Sequence, residues 1–189
     1  MKKSAQVEAR YTPSAKGLPS PTLAIRITRE RPNAETLGAI NRVIEDAIMQ
    51  WPLPARVKRL AAPSYCYTGV DVEHLTFQVA RTTDQRVVGV VALEPMTVRE
   101  SPRAHHDLSL HGLYVAPDCQ RLAVGTRLLD AALRETATAG AEGLLLKAQA
   151  SAVGFFRDRG FCVLAKDDQM DYAHRLWKPV AAETERRRR

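Results

Sequence analysis

Cysteine is scarce in this chain: Cys66, Cys119 and Cys162 are three in number and far apart. That excludes a disulfide-stapled framework and the paired-cysteine zinc patterns, and it fits a reducing, cytoplasmic setting. Long apolar runs are missing too. No stretch approaches the roughly 18 apolar residues of a membrane span. The opening Met1-Lys2-Lys3-Ser4-Ala5-Gln6 has a basic start with no apolar segment behind it, so it does not read as a secretory signal. Aromatic residues are only 6% of the chain and do not interleave with the basic ones, which argues against a stacking surface for nucleic acid.

What is present is the composition of an ordinary globular domain: 189 residues, 45% hydrophobic and 26% charged. One domain of this length can bury about 70% of its unfolded surface and needs neither metal nor disulfide for a core. The net charge of +7 includes the four arginines Arg186 to Arg189, and such a run reads as a solvated tail. Nucleic acid is therefore a distant third choice of partner, one that would need salt-dependent binding through that tail. Residues 1–20, with Pro13, Gly17 and Pro19, show no periodicity and are expected to be a flexible extension. The domain is expected over 21–178 and a basic tail over 179–189. No internal repeat is visible.

Within the domain, residues 22–28 alternate as a strand, with Leu23, Ile25 and Ile27 on one face. Asn33 can cap a helix whose Leu37, Ile40, Val43, Ile44, Ala47 and Ile48 form one apolar stripe before Pro52 and Pro54. A short helix over 56–62 and a loop over 65–71 come next. Residues 74–80 and 86–93 pair as a hairpin about the turn 82–85, and 95–106 is a long polar connection. The strand 107–115 leads to a helix from 124 to 139 that stops at Gly140. A buried strand over 143–147, a helix over 151–159 and two antiparallel strands, 161–165 and 170–177, complete the chain. This order predicts an α/β (α+β) domain with a mostly antiparallel sheet and helices on its faces.

The joint from Asp107 to Thr126 carries the chemistry. A strand ending at Val115 turns through Pro117 and Asp118 into a loop of small residues that opens a helix. Backbone N–H groups and a helix dipole converge there, a setting for a phosphate or pyrophosphate.

Leu110-His111-Gly112-Leu113-Tyr114-Val115-Ala116-Pro117-Asp118-Cys119-Gln120-Arg121-Leu122-Ala123-Val124-Gly125-Thr126, followed by Ala152-Val153-Gly154-Phe155-Phe156-Arg157-Asp158-Arg159-Gly160-Phe161, resembles the two signatures of the GCN5-related N-acetyltransferases. The hairpin with Val87-Val88-Gly89 fits as well, and the resemblance spans about 22–178. It implies acetyl-CoA as co-substrate, no metal, and a pyrophosphate loop made of Gln120, Arg121, Leu122, Ala123, Val124, Gly125 and Thr126, working mainly through backbone amides. It implies backbone contacts from Leu113 and Val115 to the pantetheine arm, and places Gln149 near the cofactor where many members have Asn.

Two positions depart from the family pattern. Ala123 stands where a glycine is usual; a left-handed backbone there would cost alanine roughly 1–2 kcal/mol, whereas close approach alone would tolerate one methyl. Weaker or shifted CoA binding is the expectation. Phe156 stands where a tyrosine commonly protonates the leaving thiolate, and phenylalanine has no proton to give.

His111 is the base candidate, since Leu110-His111-Gly112-Leu113 is similar to the His-bearing strand of the arylalkylamine branch. A histidine satisfied inside the sheet by a carbonyl is an equal alternative. Simple alternation puts His111 on one face with Asp107, Ser109 and Leu113, and Tyr114 on the other. Asp107, Glu94, His105 and His106 are secondary candidates and read more readily as rim residues. The function implied is acetyl transfer to a primary amine of a small molecule or protein by direct attack on the thioester; the alternative is a non-catalytic acyl-CoA-binding regulatory module. No membrane partner is implied, and a homodimer through the terminal strands is left open.

Overall fold

The computed structural model describes residues 24–97, 101, 106–164 and 174–180. Its seven strands are β1 (Ile25–Glu30), β2 (Thr76–Thr82), β3 (Val87–Pro95), β4 (Asp107–Val115), β5 (Gly143–Lys147), β6 (Cys162–Val163) and β7 (Arg175–Pro179). They form one sheet in the order β1-β2-β3-β4-β5-β7-β6. Every pairing is antiparallel except β4 with β5. The helices are α1 (Ala34–Met49), α2 (Ala55–Ala61), α3 (Gly69–His74), α4 (Val124–Thr138) and α5 (Val153–Arg157). The mostly antiparallel α/β architecture expected from the sequence is the one observed.

Local chemistry accounts for the helix ends. Asn33 Oδ1 accepts the Thr36 amide at 2.8 Å and caps α1, whose Ile40, Val43, Ile44, Ala47 and Ile48 are buried as the stripe predicts. At the end of α4, Gly140 takes φ +70°. Its N–H bonds Ala137 O and the next N–H, of Ala141, bonds Thr136 O, the paired closure that a left-handed glycine permits.

The segment 65–71, expected to be a loop, holds the end of a 3₁₀ turn (Ala62–Tyr65) and the start of α3. Thr68 and Asp71 form a reciprocal capping box there, so the Thr-x-x-Asp spacing was a helix start in plain view. The helix expected over 151–159 divides into a 3₁₀ turn (Ala150–Ala152) and the short α5. Leu23, the terminal extension, residues 181–189 of the tail and most of 95–106 lie outside the described residues; Pro179, expected in the tail, ends β7, and Val180 is buried with its N–H bonded to Glu142 O at 2.8 Å.

Gly89 shows which side of the sheet α4 covers: a Cβ there would stand 2.8 Å from Leu128 Cδ1 of α4. The opposite face packs on α1 and on Tyr67, whose backbone is bonded to Asn41 of α1. The seam of β4, β5 and β7 is pinned by a buried carboxylate. Asp107 Oδ2 accepts from Ser101 Oγ at 2.6 Å and from Trp177 Nε1 at 3.1 Å. Asp107 is fully buried, so it is a joint of the fold instead of the rim residue expected. Trp177 lies flat over Gly143, where any Cβ would overlap the indole. Gly143→Ala is therefore expected to lower unfolding stability by about 1–3 kcal/mol through overpacking, measured by urea denaturation; an unchanged midpoint would show that the indole can step aside.

Candidate active site

The sheet comes apart at one residue. Parallel pairing of β4 with β5 runs from Asp107↔Gly143 to Leu110↔Leu146 and stops, while β4 continues to Val115. At the same point the register with β3 jumps from Leu93↔Leu110 to Ala92↔Gly112, leaving His111 opposite no residue of β3. An extra residue of this kind bends and twists its strand, which turns β4 away from β5. Beyond Leu110 a strand edge is exposed inside the sheet, with no β5 partner among the described residues.

The bulge also reverses the facing of everything after it. Ser109, Gly112 and Tyr114 pair with Glu94, Ala92 and Val90 and share the α1 face. Leu110, Leu113 and Val115 pair with Leu93, Val91 and Gly89 and share the α4 face. Simple alternation put Leu113 with Asp107 and Ser109, and Tyr114 across from them. One inserted residue shifts the phase of two, so both assignments are corrected.

His111 is exposed on the bulge and is not enclosed within the sheet. Its ring centroid lies 5.6 Å from that of Tyr67, tilted by 47°. Asp71 is the nearby carboxylate: partial burial pushes its carboxyl up, but hydrogen bonds from the Thr68 hydroxyl and amide and the charge of His111 outweigh this and hold it below the usual carboxylate range. Tyr67 is only 4% exposed. Its hydroxyl stands over Gly112, where an added Cβ would be 2.7 Å from Tyr67 Oη and 2.6 Å from Tyr114 Cε2. Burial first, then each phenol's acidic neighbours, pushes both Tyr67 and Tyr114 well above the ordinary phenol value. Sequence reasoning passed over Tyr67. Its signal was an aromatic residue just ahead of a capping box, the place where a side chain commonly fixes the entry angle of the chain.

Beyond Val115 a 3₁₀ turn (Pro117–Cys119) leads into the loop. Gln120 Nε2 donates to Val115 O at 3.2 Å and ties the loop back to the strand. Arg121 and Ala123 both take φ +60°, so the left-handed backbone considered for position 123 is real and is occupied by alanine. Gly125 has ordinary φ, and a Cβ there would meet Phe155, Val115 and Leu113 at 3.7–3.8 Å, normal contact. Neither space nor φ requires glycine at 125.

α4 starts without a side-chain cap. Its first helical bond is from Arg127 N to Ala123 O at 3.0 Å, so the N–H groups of Val124, Gly125 and Thr126 precede any intrahelical partner. The positive end of the helix dipole lies behind them.

Arg159 completes this corner. Its Nη2 donates to Thr126 Oγ1 at 2.6 Å, its Nη1 to Phe155 O at 2.8 Å, and the guanidinium stacks 3.8 Å above the Phe155 ring. Phe155 thus reaches α4. Phe156 is buried, edge-on to Phe155 and Phe161 at 5.0 and 5.7 Å. Leu122 is exposed, as is Gln149 at the start of the 3₁₀ turn after β5. Cys119 is inaccessible, burial pushes its thiol up, and Arg86 Nη2 donates to its sulfur at 3.4 Å. Glu94 and His106 are exposed, and His105 lies outside the described residues.

A strand parted from its parallel neighbour and running into an uncapped helix start offers an unpaired backbone edge that ends at converging amides, a setting for an elongated ligand with an anionic end. The acetyltransferase (GNAT) family profile matches residues 41–161, more than half of the 189, and the chain belongs to that family as a GNAT-type acetyltransferase. Among solved structures it is similar to the PaiA N-acetyltransferase of Thermoplasma acidophilum in complex with coenzyme A, with a TM-score of 0.68 and 15% identity over 83% of this chain and 99% of that one. A GNAT acetyltransferase of Brucella melitensis in complex with acetyl-CoA gives 0.57 and 19% over 84% and 89%. The ribosomal-protein-S18-alanine N-acetyltransferase of Escherichia coli gives 0.57 and 15% over 84% and 95%. No curated protein matches the chain.

Replacing Ala123 by glycine should release the left-handed strain. Ala123→Gly is expected to raise stability by up to about 1 kcal/mol, strain relief outweighing the chain entropy added to the unfolded state. Chemical denaturation measures it, and a loss of stability would mean that the alanine methyl makes a contact worth more than the strain.

Proposed function

We propose that this chain transfers the acetyl group of acetyl-CoA to a primary amine of a small molecule or protein by direct attack on the thioester. The observation that carries the reading is the coincidence at β4 of an exposed inner edge with an uncapped helix start at its far end. The thioester supplies an activated acyl group on a thiol whose pKa is ~8.5 and which leaves readily as thiolate.

The backbones of Leu113 and Val115 lie on the inner edge and would pair with the amide-bearing pantetheine arm as a missing strand does. The loop from Gln120 to Thr126 would hold the pyrophosphate, chiefly through the free amides at the start of α4, since the Gln120 amide is bonded to Pro117 O; the Arg159 guanidinium adds positive charge beside Thr126, and Gln149 follows β5. An amine with pKa ~10.4 must lose a proton before attack. His111, exposed on the bulge, accepts it. The catalytic unit comprises residues 21–178, acting in the cytoplasm.

Buried Phe156 favours a second reading, a non-catalytic acyl-CoA-binding regulatory module, because it leaves no phenol on α5 to protonate sulfur. Calorimetry with acetyl-CoA and an amine panel read by thiol release separate the two; binding with no thiol release from any amine selects the module. In an active protein, His111→Ala is expected to lower turnover at least about tenfold with acetyl-CoA affinity preserved. An unchanged rate removes His111 from the mechanism.

A further inference from the structure

We propose that the Tyr67 hydroxyl is a catalytic hydrogen-bond donor, holding the thioester oxygen as negative charge develops on it during acyl transfer. The inference rests on the acetyl-transfer reading above. Its first support is position. The hydroxyl stands directly over Gly112, in the room that a Cβ would take, and the ring is beside His111. Donor and base therefore flank the same stretch of β4, at the point where it leaves β5.

The second support is rigidity. Tyr67 N donates to Asn41 Oδ1 at 2.9 Å, Asn41 Nδ2 donates to Tyr67 O at 2.8 Å, and the ring packs edge-on against Phe77 at 5.0 Å. A donor already aimed needs no reorganisation when charge appears, and this is where oxyanion stabilisation gets its strength. Third, no described residue hydrogen-bonds the Tyr67 hydroxyl. Unlike the buried unpaired atoms Asp107 Oδ1, Arg159 Nε and Arg175 Nε, this hydroxyl still reaches the surface, so its hydrogen bond is open to a substrate oxygen in place of water. Finally, burial keeps the phenol neutral. A group so much less acidic than a thiol (pKa ~8.5) does not pass its proton to sulfur, but it can share that proton with an oxyanion.

In the step itself the amine lone pair forms the C–N bond while the C=O π pair moves to oxygen, toward Tyr67 O–H. His111, having released to solvent the proton it took from the amine before attack, takes the second proton from the nitrogen of the adduct. The oxygen pair re-forms C=O as the C–S bond breaks, and that bonding pair leaves on sulfur. His111 returns its proton to solvent, and sulfur takes one from it.

Tyr67→Phe removes the oxygen alone. Turnover is expected to fall roughly 10²-fold with the amine KM unchanged, and the melting temperature should be no lower than wild type, since no protein hydrogen bond is lost. Calorimetry without amine gives a readout independent of turnover: the ratio of acetyl-CoA to CoA affinity should fall several-fold, with CoA affinity itself unchanged. Turnover within threefold of wild type, or a drop in melting temperature that accompanies lost CoA binding, would overturn the role of Tyr67 and leave acetyl transfer standing. Wild-type protein that binds acetyl-CoA but releases thiol to no amine would overturn both.

Discussion

β4 has to satisfy two neighbours of opposite direction, antiparallel β3 and parallel β5, and it satisfies both only as far as Leu110. The added residue at His111 costs one rung with β3 and all pairing with β5 beyond it. Backbone groups left unpaired inside a protein are expensive, so this break persists only because the rest of the sheet is well fastened on both sides. On one side β1, β2 and β3 are paired along their lengths over α4, with one register shift between Ala80 and Arg81, and Arg127 Nη2 reaches back to Ile25 O at 2.6 Å. On the other, the Asp107–Trp177 bond and the flat indole over Gly143 clamp the root of the β4–β5 pair.

The helix start shows the same economy. Arg121 and Ala123 sit at φ +60°, where L side chains are strained. In return, the chain turns sharply enough after Val115 to bring the first amides of α4 to the end of the exposed edge. Gln120, bonded to Val115 O, keeps that turn in place. Arg159 then links α5 to Thr126 and brings a fixed cation to a corner that otherwise depends on dipoles.

Around the bulge, His111 is open to solvent while Tyr67 is almost wholly enclosed. In the proposed mechanism the proton acceptor must exchange with solvent and the neutral donor must stay protonated, roles that call for such opposite environments. Phe156 takes no part in proton transfer; its ring closes the core between Phe155 and Phe161.

By itself the sequence determined the elements whose rules are local: the α1 stripe capped by Asn33, the stop at Gly140, the strand–loop–helix joint and the two family signatures. It also marked position 123 as the one where a left-handed backbone would matter. Only the tertiary structure decided what depends on pairing between distant strands. Whether β4 carries a bulge is set by its register with β3, a relation between residues about twenty apart, and no periodicity within residues 107–115 records it. From that single inserted residue follow the true facing of Leu113 and Tyr114 and the exposure of His111. The approach of Tyr67 to Gly112 is likewise a meeting of two segments 45 residues apart, brought together by α1 packing on β3 and β4.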